Sequence, residues 1–167
     1  MNHDAFYVMG NKIISQNNDN LTEAELRTAI GRIYYYIYHE VLSWVNIEDS
    51  MKVVYSESEI KSTHKKLINV FFEMAKSTKN LQYGKISRLL STLHSYRCLA
   101  DYQLNDPVDK ALFESMQANL EDLKEACLGL KNDLFEILNN ESIETIGAHK
   151  TQSATLEVRK RTLRLLD

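Results

Sequence analysis

Hydrophobic positions recur along most of the chain at steps of three and four, the period of an α-helix. Phe6, Met9, Ile13 and Ile14 put one apolar face on a first helix over about 4–16, and the polar run 16–20 (QNNDN) ends it. Thr22 followed by Glu25 has the form of a capping box, in which hydroxyl and carboxylate satisfy orphan N–H groups reciprocally. The second helix then runs to about Asn46 through Leu26, Ile30, Ile33, Ile37, Val41 and Trp44. Its middle, 33–38 (IYYYIY), is apolar or aromatic almost all round, so this helix is expected to lie between others. Gly31 leaves room there for a close neighbour.

A loop is expected near 47–58, then a third helix with Ile60, His64, Leu67, Ile68, Phe71, Phe72 and Ala75 at helical spacing. After a loop at 77–83, a fourth helix over about 84–104 carries Ile86, Leu90, Leu93, Arg97, Ala100 and Leu104 on one stripe. An arginine thus occupies an apolar position. Asp106-Pro107 reads as a helix start, with a carboxylate at the N-cap and proline at the first helical position. The fifth helix follows to about Asn139. Its stripe of Phe113, Met116, Leu120, Leu123, Cys127, Leu130, Leu134 and Ile137 is a heptad seam that needs a long partner, expected within the same bundle rather than in a second chain. Residues 139–153 read as a linker, and 154–166 as a short basic amphipathic helix with Leu156, Leu163 and Leu166 opposed to Arg159, Arg161 and Arg164.

Composition sharpens this picture. Only 5 Gly and 1 Pro occur in 167 residues, too few for the turns of a sandwich, barrel or doubly wound sheet. With 44 % hydrophobic residues, a core is affordable and disorder is not the main state. The expected fold is an all-α, antiparallel helical bundle of about five helices with a short C-terminal basic helix, at least about two-thirds helical against a typical third. The bundle is expected over 1–138 and the linker with its basic tail over 139–167.

The net charge of −3 is too small to make the whole body a polyanion binder. Residues 1–138 hold 15 basic and 19 acidic groups, whereas 150–167 hold five basic and two acidic ones. Cys98 and Cys127 lack C-x-x-C spacing and read as small apolar residues in a reducing compartment. No basic segment precedes an apolar stretch at the N-terminus, and no apolar run approaches a membrane span. A cytoplasmic protein is expected. Glycine-rich phosphate loops, G-x-S-x-G and H-E-x-x-H are absent, and the five histidines lack ligand spacing, so neither a cofactor nor a metal is expected.

Three segments carry candidate chemistry: 27–39 (RTAIGRIYYYIYH), 62–67 (STHKKL) and 90–102 (LSTLHSYRCLADY). In this order they resemble the HEPN family of small bacterial and archaeal helical-bundle proteins. More narrowly, they look like the branch with an R-x4-R-x-Y-Y helix, an S-H-x-x-L-like third helix and a final R-x-x-A-D-Y. The resemblance spans about 20–138. It implies a homodimer, often a metal-independent endoribonuclease acting as toxin or defence effector, and often paired with a nucleotidyltransferase-type antitoxin. It also implies RNA as the substrate. In the active family pattern, R-x4–6-H, a histidine moves the proton of the RNA 2′-oxygen while an arginine steadies the phosphate.

Carried onto this chain, the phosphate-binding arginine is Arg97, followed by Asp101. Tyr102 stands where the pattern has histidine, and tyrosine with an ordinary pKa near 10 is a poor base at neutral pH. The competing expectation is therefore a HEPN-like RNA-binding or partner-binding subunit without cleavage, and a third is a scaffold that only oligomerises. Two further pairs fit R-x5-H or R-x6-H. Arg88 and His94 fall about 120° apart on their helix and are discounted. Arg32 and His39 share a face about 10 Å apart, with Tyr36 between them, a span a phosphodiester can bridge. The bland readings are an Arg97–Asp101 ion pair, a solvated Arg32 with a helix-terminal His39, and a satisfied core histidine at His64.

Overall fold

The computed structural model describes residues 3–16 and 21–144, with side chains described for 3–15 and 21–131. Six helices and no strand occur among them: α1 (Asp4–Gln16), α2 (Glu23–Ile47), α3 (Asp49–Glu57), α4 (Thr63–Thr78), α5 (Leu81–Tyr102) and α6 (Lys110–Glu144). The all-α expectation holds, with one helix more than the periodicity indicated. The chain divides into a unit over 1–130 and a second over 131–167. In the second unit the described part is the run of α6 to Glu144, which extends past the start of the expected linker. The rest of that linker and the basic helix at 154–166 lie outside the described residues.

α2 is the central helix of the first unit. Thr22 caps it as expected: its hydroxyl accepts from the Glu25 N–H, and the Glu25 carboxylate accepts from the Thr22 N–H at 2.9 Å. Its whole predicted stripe from Leu26 to Trp44 is buried. α1 packs along it where Gly10 lets the backbones meet; a Cβ at that position would lie 2.8 Å from the Ile33 side chain. Met9, expected on that face, is instead 48 % exposed, because Phe6, Tyr7 and Gly10 form the contact.

α4 and α5 form a tight hairpin. Lys79 turns the chain with φ of 56°, and the Asn80 side chain caps α5 by accepting from the Gln82 N–H at 2.9 Å. The expected loop at 77–83 therefore shrinks to two residues. Phe71, Val70 and Leu67 on α4, with Ile86, Leu90 and Leu93 on α5, complete the core against α2. Leu104, placed on the α5 stripe by spacing, lies beyond the helix end and is 73 % exposed.

Further boundaries differ from the sequence reading, and the helix expected from Ile60 starts at Thr63. Residues 49–57 are helical rather than a loop, after Glu48 alone adopts an extended backbone. Met51 is the one buried anchor of this short helix, and a single anchor leaves no periodic signal. The last helix starts at Lys110, not at Asp106-Pro107: the Asp109 carboxylate accepts from the Leu112 N–H at 2.9 Å. Val108 and Phe113, both buried, occupy the two positions of a hydrophobic staple around that cap. The heptad seam from Phe113 to Leu130 is buried within the chain, as expected of a bundle; Leu134 and Ile137 lie outside the described side chains. Asn119 donates to the Tyr96 hydroxyl of α5, and Lys124 stands over the Tyr7 ring of α1.

Candidate functional site

Arg97 points from α5 into the bundle and is 7 % exposed. A buried guanidinium is costly unless its charge and its donors are met. Nε lies 2.8 Å from Asp101 Oδ2, off the N–H axis, so this is a charge contact rather than a directed hydrogen bond. A terminal nitrogen donates to the Tyr35 hydroxyl at 2.8 Å. The Tyr102 ring lies 4.5 Å from the guanidinium carbon and the Tyr35 ring 5.4 Å, so two aromatic rings flank the cation. Burial alone would favour proton loss, but Tyr102, Tyr35 and Asp101 more than reverse this and raise the arginine pKa. Gly31 makes the arrangement possible: a Cβ there would stand 3.2 Å from Asp101 Oδ1. It is the close approach that the α2 sequence allows.

The structure brings Arg97, Asp101 and Tyr102 together at the end of α5. Arg32 and His39 belong to a different neighbourhood, under α1. The Arg32 guanidinium sits 5.8 Å from the Phe6 ring centroid, and His39 stacks at 6.1 Å on the same ring. Phe6 occupies the space between them, while Tyr36 turns to Tyr7. His39 also stacks on His3 at 4.5 Å, and burial with that neighbour lowers its pKa. His3 in turn lies 3.7 Å from Glu40.

Two histidines that spacing did not connect meet beside Arg97. His64 of α4 and His94 of α5 have ring centroids 5.4 Å apart. His64 Nδ1 shares a hydrogen bond of 2.9 Å with the Tyr34 hydroxyl, which fits the satisfied core histidine of the bland reading. His94 Nε2 lies 3.6 Å from Cys98 Sγ. Arg88 faces elsewhere, into a groove between α4 and α5, so discounting its pair with His94 is upheld. The available signal was His94 three residues before Arg97; the contact with His64 is long-range and left no trace in spacing.

Burial pushes the His64 pKa down to about 4, helped by His94 and Arg97. Burial and Arg97 lower that of His94 as well. Both rings are neutral at pH 7. Since the unfolded chain takes up these protons near pH 6.5, stability is fully present above that pH and falls as the pH drops from 6.5 towards 4. The expected loss is about 1–2 kcal/mol for His64 after allowing for partial solvent access. Urea titrations at pH 7 and pH 5 check this, and His64→Gln should flatten the decline.

Among the described residues, no group of three His, Cys, Asp or Glu side chains could hold a metal ion. Nor is any helix there long and apolar enough to cross a membrane. No protein-family model, curated protein or solved structure matches the chain significantly.

Proposed function

We propose that the protein is a HEPN-like binding subunit that does not itself cut RNA. In this reading it engages RNA or a partner protein as a two-fold homodimer, in a cytoplasmic toxin–antitoxin or defence setting with an antitoxin or nucleotidyltransferase-type partner. The observation that carries it is the engagement of Arg97. An arginine that steadies a transition-state phosphate must aim its donors at the reacting atoms. Here Nε faces Asp101, a terminal nitrogen is bonded to Tyr35, and two rings flank the cation. Tyr102, where the active pattern has histidine, supports the same conclusion.

A second reading, the metal-independent endoribonuclease, is favoured by one observation. His64 and His94 are neutral imidazoles 5.4 Å apart beside a fixed positive charge. A neutral imidazole can accept the proton of an RNA 2′-hydroxyl. Incubating the purified protein with RNA in a chelator separates the two. The binding-subunit reading expects no cleavage by wild type, with weaker RNA or partner binding in Arg97→Ala and gained cleavage in Tyr102→His. Chelator-resistant cleavage by wild type that drops at least about a hundredfold in His94→Ala would establish the ribonuclease instead. Cleavage that survives Arg97→Ala and His94→Ala would remove this site altogether.

A further inference from the structure

A groove of about 700 Å³ runs between α4 and α5, on the side opposite their buried stripes. Arg97, Asp101, Tyr102, His64 and His94 do not line it. Its floor is mainly apolar, with Ile68 and Ala75 half-buried, Ile60 36 % and Phe72 49 % exposed, and Asn69, Ser87 and Ser91 adding polar groups. Its rim is cationic, with Lys65 and Lys76 from α4 and Arg88 from α5. An adjoining hollow shares Gly84 and Arg88 and adds Lys85 and Leu81, the latter 88 % exposed. No aspartate or glutamate lines either surface. Among the described residues, Glu73 pairs with Lys76 at 3.0 Å, and no carboxylate pairs with Lys65, Lys85 or Arg88.

We infer that this groove docks an acidic amphipathic helix of a partner protein. Two features select that occupant. The trough follows a helical hairpin whose first arm, at 16 residues, is about 24 Å long, a length that suits a third helix laid along it. A mainly apolar floor between cations, of which Lys65, Lys85 and Arg88 have no carboxylate partner among the described residues, is the complement of a helix with leucine-type residues at i, i+3, i+4 and i+7 and carboxylates on either side. Single-stranded nucleic acid fits less well. Its bases need open aromatic faces, and the one ring in the groove, Phe72, already carries the Lys76 ammonium 4.4 Å from its centroid. Gly84 sets the depth at one end: a Cβ there would meet Ala75 at an ordinary 3.8 Å. Gly84 lines both hollows, so a larger side chain at 84 takes up space in the trough.

This inference rests on the binding-subunit reading for its partner, but its test does not use RNA cleavage. The probe is a labelled leucine/glutamate peptide of about 18 residues with helical apolar spacing, compared with a scramble of the same composition. Fluorescence polarisation should show binding of the patterned peptide alone, weakening as salt rises. Lys65→Glu/Arg88→Glu should reduce the affinity at least about tenfold, and so should Gly84→Leu, which blocks the trough without a charge change. Lys110→Glu, on a distant face, should leave it unchanged, and circular dichroism of each variant confirms that it is folded. Equal binding of patterned and scrambled peptide, or indifference to both groove variants, overturns the proposal. So does tighter binding of a uridine oligonucleotide that the charge variant abolishes, which makes the groove a nucleic-acid track. Light scattering that shows self-association lost in Gly84→Leu assigns the groove to a second copy of the chain, and overturns it likewise.

Discussion

Asp101→Ala is expected to lower the unfolding free energy by about 2–3 kcal/mol, far more than an exposed ion pair on a helix is worth. The reason is asymmetric burial. The Arg97 side chain is 8 % exposed and that of Asp101 30 %, so deleting the carboxylate strands a cation that cannot reach water. Tyr35 and Tyr102 remain beside it, but neither carries compensating charge. Removing the cation as well should recover part of the loss: Asp101→Ala/Arg97→Met is expected to be more stable than Asp101→Ala alone. Urea denaturation of the two single variants and the double variant gives the coupling directly. If Asp101→Ala costs less than about 0.5 kcal/mol, the pair is an ordinary surface contact and the buried-charge account is wrong.

Arg27→Ala is expected to cost about 3–4 kcal/mol, the largest effect of any single polar side chain here. Arg27 is held on α2 by Glu23 at 2.6 Å and reaches across to the end of α5. One terminal nitrogen donates to the carbonyls of Leu99 and Ala100, both at 2.9 Å, and the other to those of Gln103 and Asp106. The last four carbonyls of a helix have no partner within it, and a cation there also meets the negative end of the helix dipole. Truncation therefore removes the side-chain donor from the Ala100 carbonyl and leaves that of Leu99 with the Gln103 N–H alone, at the turn that holds Arg97, Asp101 and Tyr102. Arg27→Lys should restore only a minor part, because one ammonium cannot match a planar fork with four acceptors. A melting temperature in Arg27→Ala within a degree or two of wild type would contradict this capping role.

These two arginines show how far the residues speak for themselves. Arg97 stands out in the sequence because a charge on an apolar stripe must be compensated, and Asp101 one turn on is the visible candidate. Its contacts with Tyr35, 62 positions away, are not visible. Arg27 enters the sequence reading only as the first arginine of the R-x4-R-x-Y-Y pattern, which carries no hint of a capping role. Apart from Glu23 one turn earlier, its acceptors lie more than 70 positions away and are backbone atoms, which carry no residue identity.

The histidines make the same point in reverse. Five scattered histidines without ligand spacing read as unrelated, yet α4 and α5 pack so that His64 and His94 face each other. Arg32 and His39 looked joined by spacing, and α1 separates them by inserting Phe6.

What the chain determined by itself is local and periodic. The scarcity of glycine and proline excluded sheets, the three-and-four rhythm placed five of six helices, and the Thr22–Glu25 cap marked one start to the residue. These follow from backbone geometry and burial within a single helix, where every interacting position lies within four residues. Tertiary packing decided the rest: α3, held by one buried methionine; the true start of α6 at Lys110; the rings and carboxylate that surround Arg97; and the cationic groove between α4 and α5. Such features depend on which faces of distant helices meet, and packing chooses those faces through shape and burial summed over the whole core, not through any short run of residues.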